Sequence, residues 1–124
     1  DAAGLSFSPG WTKLLNVERS GGAALGSASA GSSMSVLFDG PAVRWIAGPG
    51  PNRGIAEVTV DGGVPVTVDL YSSTYQWQKV VFEALDVGPG PHSMVITVLG
   101  QRNAGAWANW VMIDAIETES VRLE

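Results

Sequence analysis

Residues 42–71, AVRWIAGPGPNRGIAEVTVDGGVPVTVDLY, decide the architecture. Within this run Ala56, Val58 and Val60 alternate with Ile55, Glu57, Thr59 and Asp61, the two-residue period of a strand with unlike faces. Asp61-Gly62-Gly63 then offers positive-φ positions for a tight hairpin, and Val64, Val66, Val68 and Leu70 resume the alternation. Upstream, Val43 and Trp45 alternate with Arg44 and Ile46 before Gly48-Pro49-Gly50-Pro51 breaks the pattern. Three β-rich runs joined by turn residues define an antiparallel β protein that buries one face of its sheets and leaves the other free for recognition. Trp45, Asn52, Arg53 and Glu57 in the same stretch form a polar and aromatic set too varied for packing alone.

The flanking sequence extends this reading. Residues 11–17 predict a first strand after the Ser8-Pro9-Gly10 turn, and the small-residue segment 21–33 predicts two strand edges around a turn. Met34, Val36 and Phe38 alternate with Ser33, Ser35 and Leu37 up to the Asp39-Gly40-Pro41 turn. Further strands are expected over 77–85, 93–99 and 110–118, separated by the Gly88-Pro89-Gly90-Pro91 turn and by polar loops at 72–76 and 101–108. No segment has helical periodicity. Some eight or nine short strands, one roughly every 8–12 residues, predict a single all-β domain over 1–124, an antiparallel β-sandwich or jelly roll.

Composition narrows the function classes. With 124 residues the chain is long enough for its own core, and with no cysteine it has neither disulfides nor thiol chemistry. Seven basic against twelve acidic residues give a net charge of −5 with no basic run, which argues against a phosphate-binding nucleic-acid surface. Nothing approaches the ~18 consecutive apolar residues of a membrane-spanning helix. Few charges (15 %), 16 glycines and 5 tryptophans suit an extracellular bacterial β domain, and the start at Asp1 suggests a piece excised from a larger secreted protein.

Catalytic arrangements find little support. The one histidine, His92, follows a Gly-Pro turn and reads as a structural residue; no G-x-S-x-G elbow accompanies any serine. Asp61, Asp69 and Asp86 lie in or beside turns, and Glu83 sits on a solvated strand face, so paired carboxylates for glycoside hydrolysis are not indicated. The glycine-rich run 48–54 contains two prolines, which remove N–H donors, and it leads into a strand rather than a helix, so it does not cradle phosphate.

The aromatic and amide residues point elsewhere. A sugar presents a flat apolar C–H face ringed by hydroxyls, so its site calls for an open aromatic plane with amide, carboxylate or guanidinium groups around it. Two places supply that set: Asn103, Trp107 and Asn109 before the last strand, and the stretch from Trp45 to Glu57 with Asn52 and Arg53, joined by Tyr71, Tyr75 and Trp77. Trp107 follows Gly105 and Ala106 within a loop, where burial is less natural than for Trp45 or Trp110.

In order and spacing, Val36–Phe38, Ala42–Ile46, Gly54–Gly62, Val81-Phe82, Pro89–Ser93 and Trp110–Ile116 together resemble the β-sandwich carbohydrate-binding modules of families 6 and 35. The resemblance implies a loop aromatic and asparagine before the final strand, which Trp107 and Asn109 match. It also implies a second aromatic upstream of the hairpin, which Trp45 matches with Asn52 and Arg53 nearby. A structural calcium is implied too; Asp114 matches one ligand position and Glu18 is a doubtful counterpart for the other, since residues 5–8 lack a Glu-x-Glu pair. The expected protein is a monomeric, non-catalytic, extracellular or cell-surface module. It would bind an oligosaccharide or polysaccharide while covalently attached to a catalytic or surface domain, with no nucleic-acid or membrane partner. The alternative is a sandwich serving only as a structural or protein-interaction domain.

Overall fold

The structure, a computed structural model, describes residues 5–15, 23–88 and 90–119. Eleven strands are formed among them: β1 (Leu5–Phe7), β2 (Thr12–Leu15), β3 (Ala23–Ser27), β4 (Ser33–Asp39), β5 (Ala42–Ala47), β6 (Ile55–Val60), β7 (Val66–Asp69), β8 (Lys79–Ala84), β9 (Pro91–Gln101), β10 (Val111–Ile113) and β11 (Ala115–Glu119). One sheet has five strands in the order β1-β4-β9-β6-β7, and all its pairs are antiparallel. The other strands form two three-stranded antiparallel sheets, β10-β3-β2 and β11-β5-β8. Only Asp114 separates β10 from β11, and its N–H donates to the Ile46 carbonyl at 2.9 Å. The chain thus passes from one small sheet directly into the other. The expected all-β sandwich is the observed class.

The core follows from the alternation. Met34, Val36 and Phe38 on β4, Ala56 and Val58 on β6, and Met94, Ile96 and Val98 on β9 are buried in one cluster with Val43, Trp45 and Ala47 of β5 and Val111 and Ile113 of β10. The register places Met94 opposite Val36 and Ile96 opposite both Met34 and Val58, so one face of β9 carries apolar residues at every second position against both neighbours. Each such aliphatic side chain contributes about 1.5–3 kcal/mol on burial, which is why a slip of one residue along β9 is excluded. Outward-facing Leu37 stays exposed.

The central hairpin closes as its residues demand. Asp61 (φ 53°) and Gly62 (φ 69°) both adopt left-handed backbone, and the Gly63 N–H donates to the Val60 carbonyl at 3.0 Å, the geometry of a type I′ turn. Pairing resumes only at Val66, however, and Val64 is exposed. Pro65, with no N–H to give a ladder, holds the chain out of the sheet at the point where alternation alone predicted strand. Two other expectations are corrected: Trp77 precedes its strand rather than opening it, and the last strand is split at Asp114.

Candidate functional site

Antiparallel pairing delivers three loops to one end of the molecule: 48–54 between β5 and β6, 70–78 between β7 and β8, and 102–110 between β9 and β10. Loop 48–54 is the spine. On one side it is bridged at Gly50 to Tyr71, with Gly50 N–H donating to Leu70 O (3.1 Å) and Ser72 N–H donating to Gly50 O (3.1 Å). On the other side it is bridged at Arg53 to Trp110, with Gly54 N–H donating to Trp110 O (2.7 Å) and Trp110 N–H donating to Asn52 O (3.1 Å). The prolines that made this loop unfit for phosphate serve here as acceptors. Pro49 O takes the N–H of Gln76 (2.9 Å) and Pro51 O that of Trp107 (3.1 Å).

Trp107 is held by its backbone and open at its side chain. Ala106 beside it is buried and donates its N–H to Asn103 O at 2.9 Å, while Trp107 leaves 67 % of its surface exposed. Asn103 shapes the turn: its Oδ1 accepts from Gly105 N–H (3.0 Å) and its Nδ2 donates to Asp69 Oδ2 (3.1 Å). The other oxygen of Asp69 accepts from Tyr71 N–H at 2.9 Å, tying two loops through one carboxylate. Gly105 leaves room for the Tyr71 hydroxyl, which would lie 2.9 Å from a Cβ at that position. Asn109, half-buried, donates Nδ2 to Ala28 O at 3.1 Å and fastens the loop to residues ahead of β4. Both asparagines hold the loop that presents Trp107, and exposed Arg102, Asn103 and Asp69 line the same end.

Tyr75 (47 % exposed) and Trp77 (38 %) form a second aromatic group, with rings stacked at 11° and centroids 6.3 Å apart. Tyr75 lies directly on Gly50, where a Cβ would come within 2.6 Å of the ring. Arg53 supports it from within, with its guanidinium carbon 5.5 Å from the Tyr75 centroid, a cation–π distance.

Two expected ligand contacts are corrected. Trp45 is fully buried, and its Nε1 donates to Met112 O at 3.1 Å; the phase it shares with Val43 aims it into the core, so no ligand reaches its face. Arg53 is only 5 % exposed: Nε donates to Gly48 O (2.7 Å) and Nη1 to Asn52 Oδ1 (2.6 Å). It organises the loop from inside and, with Asn52 as its acceptor, is not a fork presented to solvent. Tyr71, expected beside Tyr75 and Trp77, stands at the junction of two loops, and Asp69 and Gly50 complete the arrangement in roles that sequence did not indicate.

Of the two expected calcium ligands, only Asp114 lies among the described residues. Asp114 buries both carboxylate oxygens and shares with Glu117, Ile46, Gln78 and Ala115 the lining of a cavity of about 230 Å³, but Glu18 lies outside the described residues. Among the described residues no three His, Cys, Asp or Glu side chains gather at one point.

Shifted titration occurs at the opposite end. Asp61 is held below the usual carboxylate range by Ser93 N–H, which donates to Oδ1 at 2.9 Å, and then by His92, whose Nδ1 lies 2.7 Å from Oδ2. The His92 pKa is raised by Gly88 O, 2.8 Å from Nε2, and then by Asp61. Both ring nitrogens face acceptors, an arrangement that only the imidazolium satisfies fully. This pair clasps a turn, as the position of His92 after Gly-Pro implied.

Comparison with known proteins agrees with the fold and places it in context. No family model matches the chain. Over 94 residues, 76 % of the chain, it is 33 % identical to an A type blood N-acetyl-α-D-galactosamine deacetylase of Flavonifractor plautii, of which it spans 12 %. Similar folds occur in a two-domain esterase active on acetylated mannans, co-crystallized with mannopentaose (TM-score 0.65, 13 % identity, 99 % of this chain and 36 % of that one), and in a Paenibacillus xanthan lyase (0.63, 14 %, 94 % and 12 %). An exo-β-1,3-galactanase from Phanerochaete chrysosporium is a more distant match (0.50, 21 %, 93 % and 29 %). At these identities the structural likenesses establish the fold alone. The chain spans only 12–36 % of the length of these four proteins.

Proposed function

We propose that this chain is a non-catalytic carbohydrate-binding module that holds an attached catalytic or surface domain on a glycan outside the cell. The observation that carries the reading is Trp107: a large indole, two-thirds exposed, on a loop fixed by backbone hydrogen bonds to Pro51 and within its own turn. Exposing so much aromatic surface on a fixed support forgoes burial that would otherwise stabilise the fold, and it preorganises a flat apolar plane for a pyranose face. Arg102, Asn103 and Asp69 at the same end supply donors and acceptors for ring hydroxyls. The small share of its larger relatives that the chain spans supports an accessory rather than a catalytic role.

A small polar ligand on so open a site binds modestly, with Kd of roughly micromolar to millimolar, about −8 to −4 kcal/mol, and gains avidity by tethering. Affinity gels containing mannan, xanthan, β-1,3-galactan or α-1,3-glucan test the reading. Retardation by at least one polysaccharide, lost in Trp107→Ala at a cost of about 1–3 kcal/mol, is the expected result. A wild-type chain that no polysaccharide retards would favour a purely structural sandwich.

A further inference from the structure

The exposed aromatic surface at the loop end is divided in two, and the division constrains the ligand. Trp107 is attached to loop 48–54 through Pro51, on the side bridged to Trp110. Tyr75 rests on Gly50, on the side bridged to Tyr71, and carries Trp77 stacked against it. Trp107 and the Tyr75–Trp77 stack are thus carried by different loops, 102–110 and 70–78. A single sugar ring stacks on a single aromatic face.

The second aromatic group is as firmly built as the first. Arg53, nearly sealed from solvent, underlies the Tyr75 ring while hydrogen bonded to Gly48 O and Asn52 Oδ1, and Gln76 N–H donates to Pro49 O beside it. Gly50 is required for the ring to lie so close, because any Cβ would collide with it. Two large aromatic side chains that are well exposed yet mutually stacked and supported from below form a rigid platform.

We infer that the Tyr75–Trp77 stack is a second sugar subsite, so that the ligand is a run of several residues along a glycan chain rather than a single terminal sugar. This rests on the carbohydrate-binding reading above. The buried Arg53 is then a positioning residue: it holds the tyrosine platform and touches no sugar.

Calorimetric titration with mannose, mannotriose and mannopentaose, and in parallel with galactose and β-1,3-galactotriose, separates the possibilities. Affinity that rises at least tenfold from monosaccharide to the longer oligosaccharide, with the gain flattened by Trp77→Ala and partly kept by Trp77→Phe, supports the inference. Thermal unfolding of both variants verifies that they fold. If monosaccharide and longest oligosaccharide bind equally, or the gain persists in a folded Trp77→Ala chain, the second subsite is overturned while the glycan-binding reading stands. If neither series binds and no polysaccharide gel retards the chain, both fall together.

Discussion

Gly54→Ala tests how the fold and the loop end depend on each other. Gly54 lies where β6 begins and where loop 102–110 crosses it, and a Cβ there would press on the Asn109 carbonyl oxygen and come within 2.7 and 2.8 Å of its C and Cα. Ordinary carbon contacts are ~3.5–4.0 Å, so the backbone must separate by about 1 Å. These are main-chain atoms and cannot rotate away. The shift pulls on two hydrogen bonds, Gly54 N–H to Trp110 O at 2.7 Å and Trp110 N–H to Asn52 O at 3.1 Å. Overpacking costs about 1–3 kcal/mol and each weakened bond up to about 1 kcal/mol, giving a loss of about 2–4 kcal/mol in all. For a domain of this size that is a fall in Tm of about 8–16 °C. Urea unfolding followed by circular dichroism measures the loss, and polysaccharide retardation reads the site. Gly62→Ala is the control: its φ of 69° is strained, but nothing lies within 4 Å of the added methyl, so it costs only about 1–2 kcal/mol and acts at the other end. A Gly54→Ala chain as stable as Gly62→Ala, or one that binds as wild type does, would refute the reasoning.

Other perturbations bear on parts of the same account. Trp45→Ala should cost about 3–5 kcal/mol through the cavity it leaves, and Trp45→Phe about 1–3 kcal/mol by stranding the Met112 carbonyl, both read as lower urea midpoints. The His92–Asp61 clasp should give the fold a pH dependence. Protonated His92 is favoured in the folded chain, so its contribution is complete below its ordinary value near 6.5 and fades as pH rises through the raised one. Ionised Asp61 contributes fully above its ordinary value of 3.8, and that contribution is lost as pH falls through the lowered one. Urea midpoints should therefore be highest between those two ordinary values and decline above neutrality. His92→Gln should remove most of that decline; a variant that tracked wild type across the range would show that the clasp is not its source.

The sequence made some of these features legible and concealed others, for reasons that are physical. Period-two alternation located β4 and β6 and chose their buried faces, because one face of each meets the opposite layer. The same phase put Trp45 with Val43, and the core claimed it over the ligand role the family resemblance offered. Val64 misled because alternation does not register that a following proline cannot pair. Arg53 was hidden for a different reason. A Pro/Gly loop reads as solvent-facing, but its burial depends on Tyr75, 22 positions away in sequence, closing over Gly50. The break at Asp114, where one sheet gives way to the next, leaves no trace in local composition. Trp107 was readable because small residues precede it in a polar loop, whereas the hydrogen bond from its N–H to Pro51 that fixes it is not.

On the proposed function, a glycan meets the indoles at the loop end while the core indole takes no part. The chain has five tryptophans, so a nitrogen–proton correlation spectrum has five indole signals to follow during titration with mannopentaose or β-1,3-galactotriose. The account predicts saturable shifts of the Trp107 and Trp77 signals, with Trp45, bonded to Met112 O inside the sandwich, unmoved. Saturable shifts confined to Trp11 or other residues away from loops 48–54, 70–78 and 102–110, with Trp107 silent, would contradict it.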